Sequence, residues 1–131
     1  MAQSAVRHIR VLAIDDSAHF LASLKSFFET THDFQLIATV TSPDNAITLI
    51  QKLHPDLVLM DLQMAGMNGL EATLEIHRCF PGMPVVIITG HEVPGLKQIC
   101  HDSGARDYVK KSRLYQDLPD VLAKFLISRQ D

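Results

Sequence analysis

Acidic side chains follow two apolar segments of the chain. Asp15 and Asp16 come directly after the segment Ile9–Ile14, and Asp61 comes directly after residues 57–60. Three carboxylates held close together repel one another unless a cation neutralises their charge. Mg²⁺ is a hard cation that proteins bind through one or two carboxylates together with water and phosphate oxygens. The pattern therefore favours a magnesium site that can also hold a phosphoryl group.

A hydroxyl group and an amine follow two further apolar segments. Residues 85–88 lead into Thr89, and residues 108–109 lead into Lys110 and Lys111. A hydroxyl can donate a hydrogen bond to a phosphoryl oxygen, and an ammonium group can balance the phosphoryl charge. Among the acids, Asp61 is the best candidate nucleophile, because it alone follows a central strand and precedes a loop able to close over an added group. A carboxylate nucleophile would give an acyl phosphate.

The apolar segments themselves are typical of strands that are buried on both faces of a parallel sheet. The carboxyl ends of such strands open on one edge, where ligands bind. Together with a further strand at Phe34–Val40, the segments alternate with helical patterns. We therefore predict an α/β fold, a doubly wound five-stranded parallel sheet of order 2-1-3-4-5 flanked by five helices. The acids, the hydroxyl and the amine would meet at a single edge.

The first two predicted helices have clear boundary signals. Ser17 can cap one helix, and Ser42 followed by Pro43 predicts a second start, which His54 and Pro55 bring to a stop. The residues predicted to face inward from these two helices are Phe20, Leu21, Leu24, Phe27, Phe28, Ala46, Leu49, Ile50 and Leu53.

The other three helices have weaker boundaries. One follows a loop at 63–69 and ends near Pro81. Pro94 and Gly95 disfavour the first turn of the next, so residues 93–100 are predicted to form a short and mobile helix. The last helix is predicted to begin at Asp117, with Pro119 in its first turn. The residues predicted to face inward from the third and last helices are Leu70, Leu74, His77, Leu118, Val121, Leu122, Phe125 and Leu126.

Four sequence blocks together resemble the receiver domain of bacterial two-component response regulators. They read IDDS at 14–17, DLVLMDLQMAGMNGLEA at 56–72, VVIITG at 85–90 and GARDYVKKS at 104–112. The blocks stand in the expected order and cover nearly the whole chain, so we expect residues 1–131 to be a single receiver domain. The resemblance implies a flavodoxin-like fold, the same architecture that the strand and helix patterns predict.

The resemblance implies a role for each residue of the acidic site. Asp61 would be the phosphoacceptor and a ligand of Mg²⁺. Asp16 would bind the metal directly and Asp15 would bind it through water. The backbone carbonyl of Gln63 would complete the protein ligands. Receivers usually carry proline at the position of Ala65, so the loop after the acceptor is expected to be less rigid here.

The resemblance also implies how the site signals. It selects Lys111 over Lys110 as the lysine that pairs with the phosphoryl group, since neighbouring strand residues point to opposite faces. Thr89 would donate its hydroxyl to the phosphoryl group, and Tyr108 would turn inward after it. His91 would lie beside the path of the water that hydrolyses the acyl phosphate.

Length, charge and cysteine content fit one soluble domain. The chain has 131 residues, a net charge of −3 and two cysteines, Cys79 and Cys100, whose spacing matches no common metal or redox motif. Charges of both signs are interspersed, and no apolar run approaches the roughly 20 residues of a membrane span. We therefore expect no direct contact with nucleic acid or membrane. Free thiols and the lack of a signal-peptide pattern favour the cytoplasm.

The expected partners follow from the resemblance. A sensor histidine kinase or a phosphotransfer protein would supply the phosphoryl group, and the fourth helix, fifth strand and fifth helix would form the responding face. Ser112 replaces a proline that most receivers carry after the lysine. Similar endings occur in receivers joined to helix-turn-helix domains, so a C-terminal DNA-binding output domain outside this chain is an open expectation. A homodimer formed on phosphorylation is a second open expectation. No enzymatic activity is expected.

Each assignment has an alternative. Asp15 and Asp16 could be acids at a helix N-terminus, and Tyr108 could be an ordinary half-buried strand residue. The whole chain could be a degenerate receiver that binds partners without phosphorylation, although such receivers usually lack the acceptor, one of the acidic pair or the lysine. It could also be a phosphatase with an aspartate nucleophile, but those enzymes typically have a second acid where this chain has Gln63.

Overall fold

The computed structural model describes residues 8–62 and 69–129, with side chains as far as residue 126. In this part of the chain, five strands form one parallel sheet in the order β2-β1-β3-β4-β5, so the predicted doubly wound fold is confirmed. The strands are β1 (Ile9–Ile14), β2 (Phe34–Val40), β3 (Leu57–Asp61), β4 (Val85–Thr89) and β5 (Asp107–Lys110).

Helices connect the strands on both faces of the sheet. They are α1 (Ala18–Glu29), α2 (Ala46–Leu53), α3 (Gly69–Cys79), α4 (Leu96–Ser103) and α5 (Leu114–Arg129), with a 3₁₀ turn at Lys111–Arg113 before α5. Ser17 caps α1 as predicted, because its side chain accepts a hydrogen bond from the Phe20 backbone N–H. None of these described helices has the length and apolar character needed to cross a membrane.

The apolar core lies on both faces of the sheet. Along β3, Leu57 and Leu59 pack with α1 and α5, whereas Val58 and Met60 pack with α2, α3 and α4. Every residue of β3 and β4 is buried. Alternating side chains therefore fill both faces, as expected for the middle strands of a parallel sheet. The same packing holds the last residues of these two strands at the edge of the sheet.

The predicted start of α2 was wrong. The helix begins at Ala46 and not at Pro43. Residues 42–45 form a separate turn, in which the Asp44 N–H donates to Ser42 Oγ and the Ala46 N–H donates to the Pro43 carbonyl. The serine side chain therefore closes a turn before the helix, because serine and proline favour both arrangements.

The helix α4 is placed differently from its prediction. It begins at Leu96, directly after Gly95, which adopts a left-handed backbone conformation with φ of 71°. Pro94 thus lies before the helix and does not occupy its first turn. The helix runs to Ser103 and so extends past Cys100, the predicted end. Its predicted mobility stays a prediction.

The predicted start of α5 was also wrong. The helix begins at Leu114, because the 3₁₀ turn at Lys111–Arg113 leads directly into it. Pro119 therefore lies inside the helix and not in its first turn. Proline has no N–H, so the Tyr115 carbonyl lacks its usual helical donor. Both residues are exposed, and water can satisfy that carbonyl at the surface.

The buried face of α3 differs from the predicted one. Leu74 is 44% exposed and His77 is exposed, although both were predicted to face inward. The residues that are buried are Gly69, Ala72, Thr73 and Ile76. Gly69 sets this rotation, since a Cβ atom on it would lie only 1.9 Å from the carbonyl oxygen of Asp61. The helix therefore approaches the end of β3 through a residue without a side chain.

Candidate functional site

Three carboxylates converge at the carboxyl ends of β1 and β3. These strands are neighbours in the sheet, and Ile14 pairs with Met60. Asp15, Asp16 and Asp61 each present one oxygen within 4.8 Å of the others. We call these three residues the acid cluster.

The members of the acid cluster differ in their exposure to solvent. Asp15 is 2% exposed and Asp61 is 4% exposed, whereas Asp16 is exposed. The carboxylate of Asp15 is oriented by the turn that follows β1, because the Ser17 backbone N–H donates to its Oδ1 at 2.8 Å. The same serine caps α1, accepting from the Phe20 N–H at 3.1 Å. One turn thus fixes the acidic side chain and the first turn of the helix together.

Lys111 is the lysine that reaches the acid cluster. Its Nζ lies 2.8 Å from Oδ2 of Asp15 and 3.8 Å from Oδ2 of Asp61. The neighbouring Lys110 pairs with Glu92 at the surface. The 3₁₀ turn that begins at Lys111 directs consecutive lysines to different environments, so only one of them faces the carboxylates.

The acid cluster has the donor chemistry of a magnesium site. Oδ2 of Asp15 is buried and accepts no hydrogen bond from the described residues, and the Lys111 ammonium, 2.8 Å away, is its charge partner. A buried carboxylate needs such a compensating charge, which a cation can also supply. Oxygen ligands from carboxylates are what Mg²⁺ binds in proteins. The residues therefore fit this cation. Gln63, the other predicted ligand, lies outside the described residues.

Thr89 lies beside the acid cluster but is bonded elsewhere. It is 1% exposed at the end of β4, the strand next to β3. Its Oγ1 accepts from the His91 backbone N–H and donates to the His91 carbonyl, each at 3.2 Å. The hydroxyl is therefore engaged with the loop that follows β4. Any group that attracts it toward the acid cluster must break these two weak hydrogen bonds.

Tyr108 shares a sheet face with Thr89. Tyr108 pairs with Ile87 and Lys110 pairs with Thr89, so all four side chains lie on the face that α4 covers. Tyr108 is half-buried and borders a groove of about 540 Å³ between α4, β5 and α5. We call this feature the α4–β5–α5 groove.

Cys100 forms part of the floor of the α4–β5–α5 groove. Burial, and to a smaller extent the negative charge of Asp107, raises the pKa of the Cys100 thiol to about 11. The thiol is therefore protonated at neutral pH. Cys79 is exposed and is not disulfide-bonded.

Two residues near the site were not identified from sequence as part of it. Gly69 packs against the backbone of Asp61, and no other residue type fits at that position without a shift. The sequence had indicated only a turn and a helix start there. Phe20 was predicted as an ordinary core residue, yet its ring centroid lies 4.4 Å from Nζ of Lys111. The helical pattern gives no indication of this contact.

A family model decides the assignment. The model of the response regulator receiver domain matches residues 11–123. The chain belongs to the response regulator receiver domain family. The resemblance noted in the sequence is thereby confirmed, and the chain is a receiver domain of the two-component type. This favours the receiver interpretation over the phosphatase alternative.

Relatives of this receiver domain include full-length regulators. The response regulator protein VraR of Staphylococcus epidermidis is 34% identical over 88% of this chain. The match covers 56% of VraR, so this chain spans about half the length of the curated relatives it matches first.

Solved structures show the same fold. The response regulator domain of Thermotoga maritima CheB superposes with a TM-score of 0.78 at 27% identity, covering 90% of this chain and 93% of that one. A DNA-binding response regulator of the LuxR family from Staphylococcus aureus superposes with a TM-score of 0.79 at 25% identity, covering 88% and 97%. This chain thus shares its fold with both of these response regulators.

Proposed function

We propose that this receiver accepts a phosphoryl group on Asp61 from a sensor histidine kinase or a phosphotransfer protein. The observation that carries the proposal is the convergence of the acid cluster with Lys111 at one edge of the sheet. The same edge carries Thr89 at the end of the adjacent strand. Negative, positive and hydrogen-bonding groups are thus available around one carboxylate.

Asp61 is the acceptor in this proposal because it ends β3, which lies between the strands that lead into Asp15 and Thr89, and because its carboxylate is 3.8 Å from Nζ of Lys111. Membership of the receiver family implies the same role. In the transfer, an Asp61 carboxylate oxygen forms a bond to phosphorus while the phosphorus–nitrogen bond of the donor histidine breaks. The imidazole keeps that electron pair and takes up a proton. The product is an acyl phosphate.

Charge balance around the phosphoryl group would come from two sides. Asp15, Asp16, Asp61 and the Gln63 carbonyl would hold Mg²⁺, which supplies positive charge for the phosphoryl oxygens when bound. Lys111 would provide the second positive charge from the opposite side, moving from Asp15 toward Asp61 over a short distance.

Transmission to the surface would run through Thr89. Its hydroxyl would leave the His91 backbone to donate to a phosphoryl oxygen. The space behind it would open for Tyr108, which lies on the same face and borders the α4–β5–α5 groove. This is a local charge change that biases an element with two arrangements. The groove would then present a different surface to a partner.

The remaining parts of the proposal concern the whole protein. VraR is longer than this chain, and a LuxR-family neighbour is described as DNA-binding. We therefore propose a C-terminal DNA-binding output domain beyond residue 131, with the receiver itself, residues 1–131, making no direct contact with nucleic acid or membrane. Phosphorylation would favour a homodimer, and the protein would act in the cytoplasm without enzymatic activity of its own.

Incubation with acetyl phosphate or phosphoramidate tests the proposal. With Mg²⁺ present, intact-mass measurement should show one added phosphoryl group that is stable in acid and labile in base. Asp61→Asn should abolish the addition, whereas Asp44→Asn, which changes an exposed aspartate in the turn before α2, should leave it intact. Asp16→Asn should reduce the dependence on Mg²⁺.

The controls separate the alternatives. Full incorporation in Asp61→Asn would show that the acceptor is another residue. No incorporation in the wild type with either donor would favour a phosphorylation-independent binding module instead.

A further inference from the structure

Phe20 contacts the functional lysine as well as the core. The residue lies in the first turn of α1 and is half-buried, with part of its ring packed against the core cluster under α1 and α5. The Nζ atom of Lys111 lies over the ring, 4.4 Å from the centroid. A cation this close to an aromatic face is attracted by the ring quadrupole.

The Lys111 ammonium is placed nearer to the metal ligand than to the acceptor. It lies 2.8 Å from Asp15 and 3.8 Å from Asp61, and its side chain is 23% exposed. In this arrangement the ammonium neutralises the same carboxylate that would face the cation. The Phe20 ring and the Asp15 carboxylate therefore form one binding site for the ammonium group.

The turn at Ser17 positions both parts of this binding site. The Ser17 N–H holds Asp15, and Ser17 Oγ accepts from the N–H of Phe20. The ring and the carboxylate are thus fixed relative to each other by the cap of α1. An aliphatic residue at position 20 would fill the apolar volume but would lack the negative ring face.

We propose that Phe20 is a positioning residue that holds Lys111 beside Asp15 in the cation-free domain, so that the lysine competes with Mg²⁺ for this carboxylate. When the cation binds, the ammonium leaves its position between the Phe20 ring and the Asp15 carboxylate. It is then available to a phosphoryl group on Asp61. The inference rests on the proposed function of the acid cluster. By thermodynamic linkage, an interaction that stabilises Lys111 in its cation-free position lowers the Mg²⁺ association constant by the same factor.

The expected effect is modest and measurable. A partly exposed cation–π contact corresponds to about a two- to fivefold change in an equilibrium constant. Titration calorimetry without a phosphodonor should therefore show that Phe20→Leu binds Mg²⁺ about two- to fivefold more tightly than the wild type. Phe20→Tyr keeps the ring face and should bind Mg²⁺ like the wild type.

A double-mutant cycle with Lys111→Met separates this role from simple packing. Lys111→Met alone should tighten Mg²⁺ binding, because a positive charge is removed. In that background the further change Phe20→Leu should have no effect on the Mg²⁺ Kd. An equal effect of Phe20→Leu in both backgrounds, or none in the wild-type background, would overturn the proposal.

A second measurement uses the wild-type protein and does not depend on whether the variants fold. The ring current of Phe20 should shift the NMR signals of the Lys111 ε-methylene protons upfield in the cation-free protein, and saturation with Mg²⁺ should reduce this shift. A shift that persists at saturation would refute the release of the lysine. If calorimetry detects no Mg²⁺ binding in the wild type, both the proposed metal site and this inference fail. Normal Mg²⁺ binding and phosphorylation with no Phe20 effect would refute the inference alone.

Discussion

The acid cluster and the α4–β5–α5 groove are built in opposite ways. Asp15, Asp61 and Thr89 are almost fully buried at the ends of β1, β3 and β4. Backbone hydrogen bonds hold Asp15 and Thr89, and Lys111 lies within ion-pair distance of both Asp15 and Asp61. The groove is bordered by a half-buried tyrosine and by a helix that begins after a left-handed glycine. Moving parts of proteins are drawn from regions of low local stability. In the proposed function, the acid cluster supplies a fixed arrangement of charged groups, and the response comes from the side of the half-buried tyrosine.

The two adjacent lysines show the same contrast. Lys111 lies against two buried carboxylates and an aromatic ring, whereas Lys110 pairs with Glu92, whose side chain is 83% exposed. Partly buried ion pairs are screened less by solvent than exposed ones. The environment, and not the residue type, therefore separates a site residue from a surface residue.

The largest effect is expected where the acid cluster is most tightly packed. Gly69→Ala would place a methyl group 1.9 Å from the carbonyl oxygen of Asp61, so the backbone must move. We expect the free energy of unfolding to fall by about 3 kcal/mol or more, measured by urea denaturation. Gly82→Ala is the control, since a Cβ atom there meets nothing within 4 Å. Similar effects of the two changes would argue against tight packing of Gly69 on the end of β3.

A smaller effect on the free energy of unfolding tests whether water reaches the floor of the α4–β5–α5 groove. Burial raises the pKa of the Cys100 thiol to about 11 from an ordinary value of 9.0. Between these values the unfolded chain loses the thiol proton while the folded chain keeps it, so stability should fall as pH rises through this range. The loss that Cys100 contributes is on the order of 2 kcal/mol.

The check is a comparison of pH profiles. Urea denaturation of the wild type and of Cys100→Ala should show a steeper alkaline loss of stability in the wild type. Below pH 9 the difference in free energy of unfolding between the two proteins should be constant, because the thiol is then protonated in both the folded and the unfolded chain. Parallel profiles up to pH 11 would show that water reaches Cys100 and that the groove floor is wetter than its burial indicates.

The smallest effect is expected at the surface ion pair. Glu92→Ala removes the partner of Lys110 at an exposed position. Such pairs contribute about 0 to 1 kcal/mol, so thermal unfolding should change little. The acid cluster should be unaffected, and Mg²⁺ affinity should match that of the wild type. A large loss of stability would mean that the Lys110–Glu92 pair contributes more than an ordinary surface ion pair.

The sequence predicted the sheet and the convergence of the acids because both depend on short-range patterns. Long buried apolar runs mark strands, and the parallel arrangement brings Asp15 and Asp61 to one edge without further information. The errors came where tertiary packing overrides a local signal. Pro119 was placed in a first turn, although a 3₁₀ turn upstream starts α5 earlier.

Side-chain contacts across the fold were the part that sequence could not provide. Leu74 was predicted to face inward by its apolar character, but the close approach of Gly69 to Asp61 rotates α3 and leaves it exposed. Phe20 fitted the helical apolar pattern equally well with or without a lysine above its ring. Both depend on distances between different elements of the fold, which no local pattern encodes.

Amide hydrogen exchange with and without beryllofluoride and Mg²⁺ tests the central contrast most directly. In the wild type, exchange should change across residues 90–108 and stay nearly constant in β1 and β3. Thr89→Ala should lose most of this change, because a hydroxyl hydrogen bond of about 0.5 to 1.5 kcal/mol is removed from a switch whose states differ by a few kcal/mol. Thr89→Ser keeps the hydroxyl, so this variant should retain the change in exchange. No change across 90–108 in the wild type, or the full change in Thr89→Ala, would contradict the coupling of the acid cluster to the α4–β5–α5 groove.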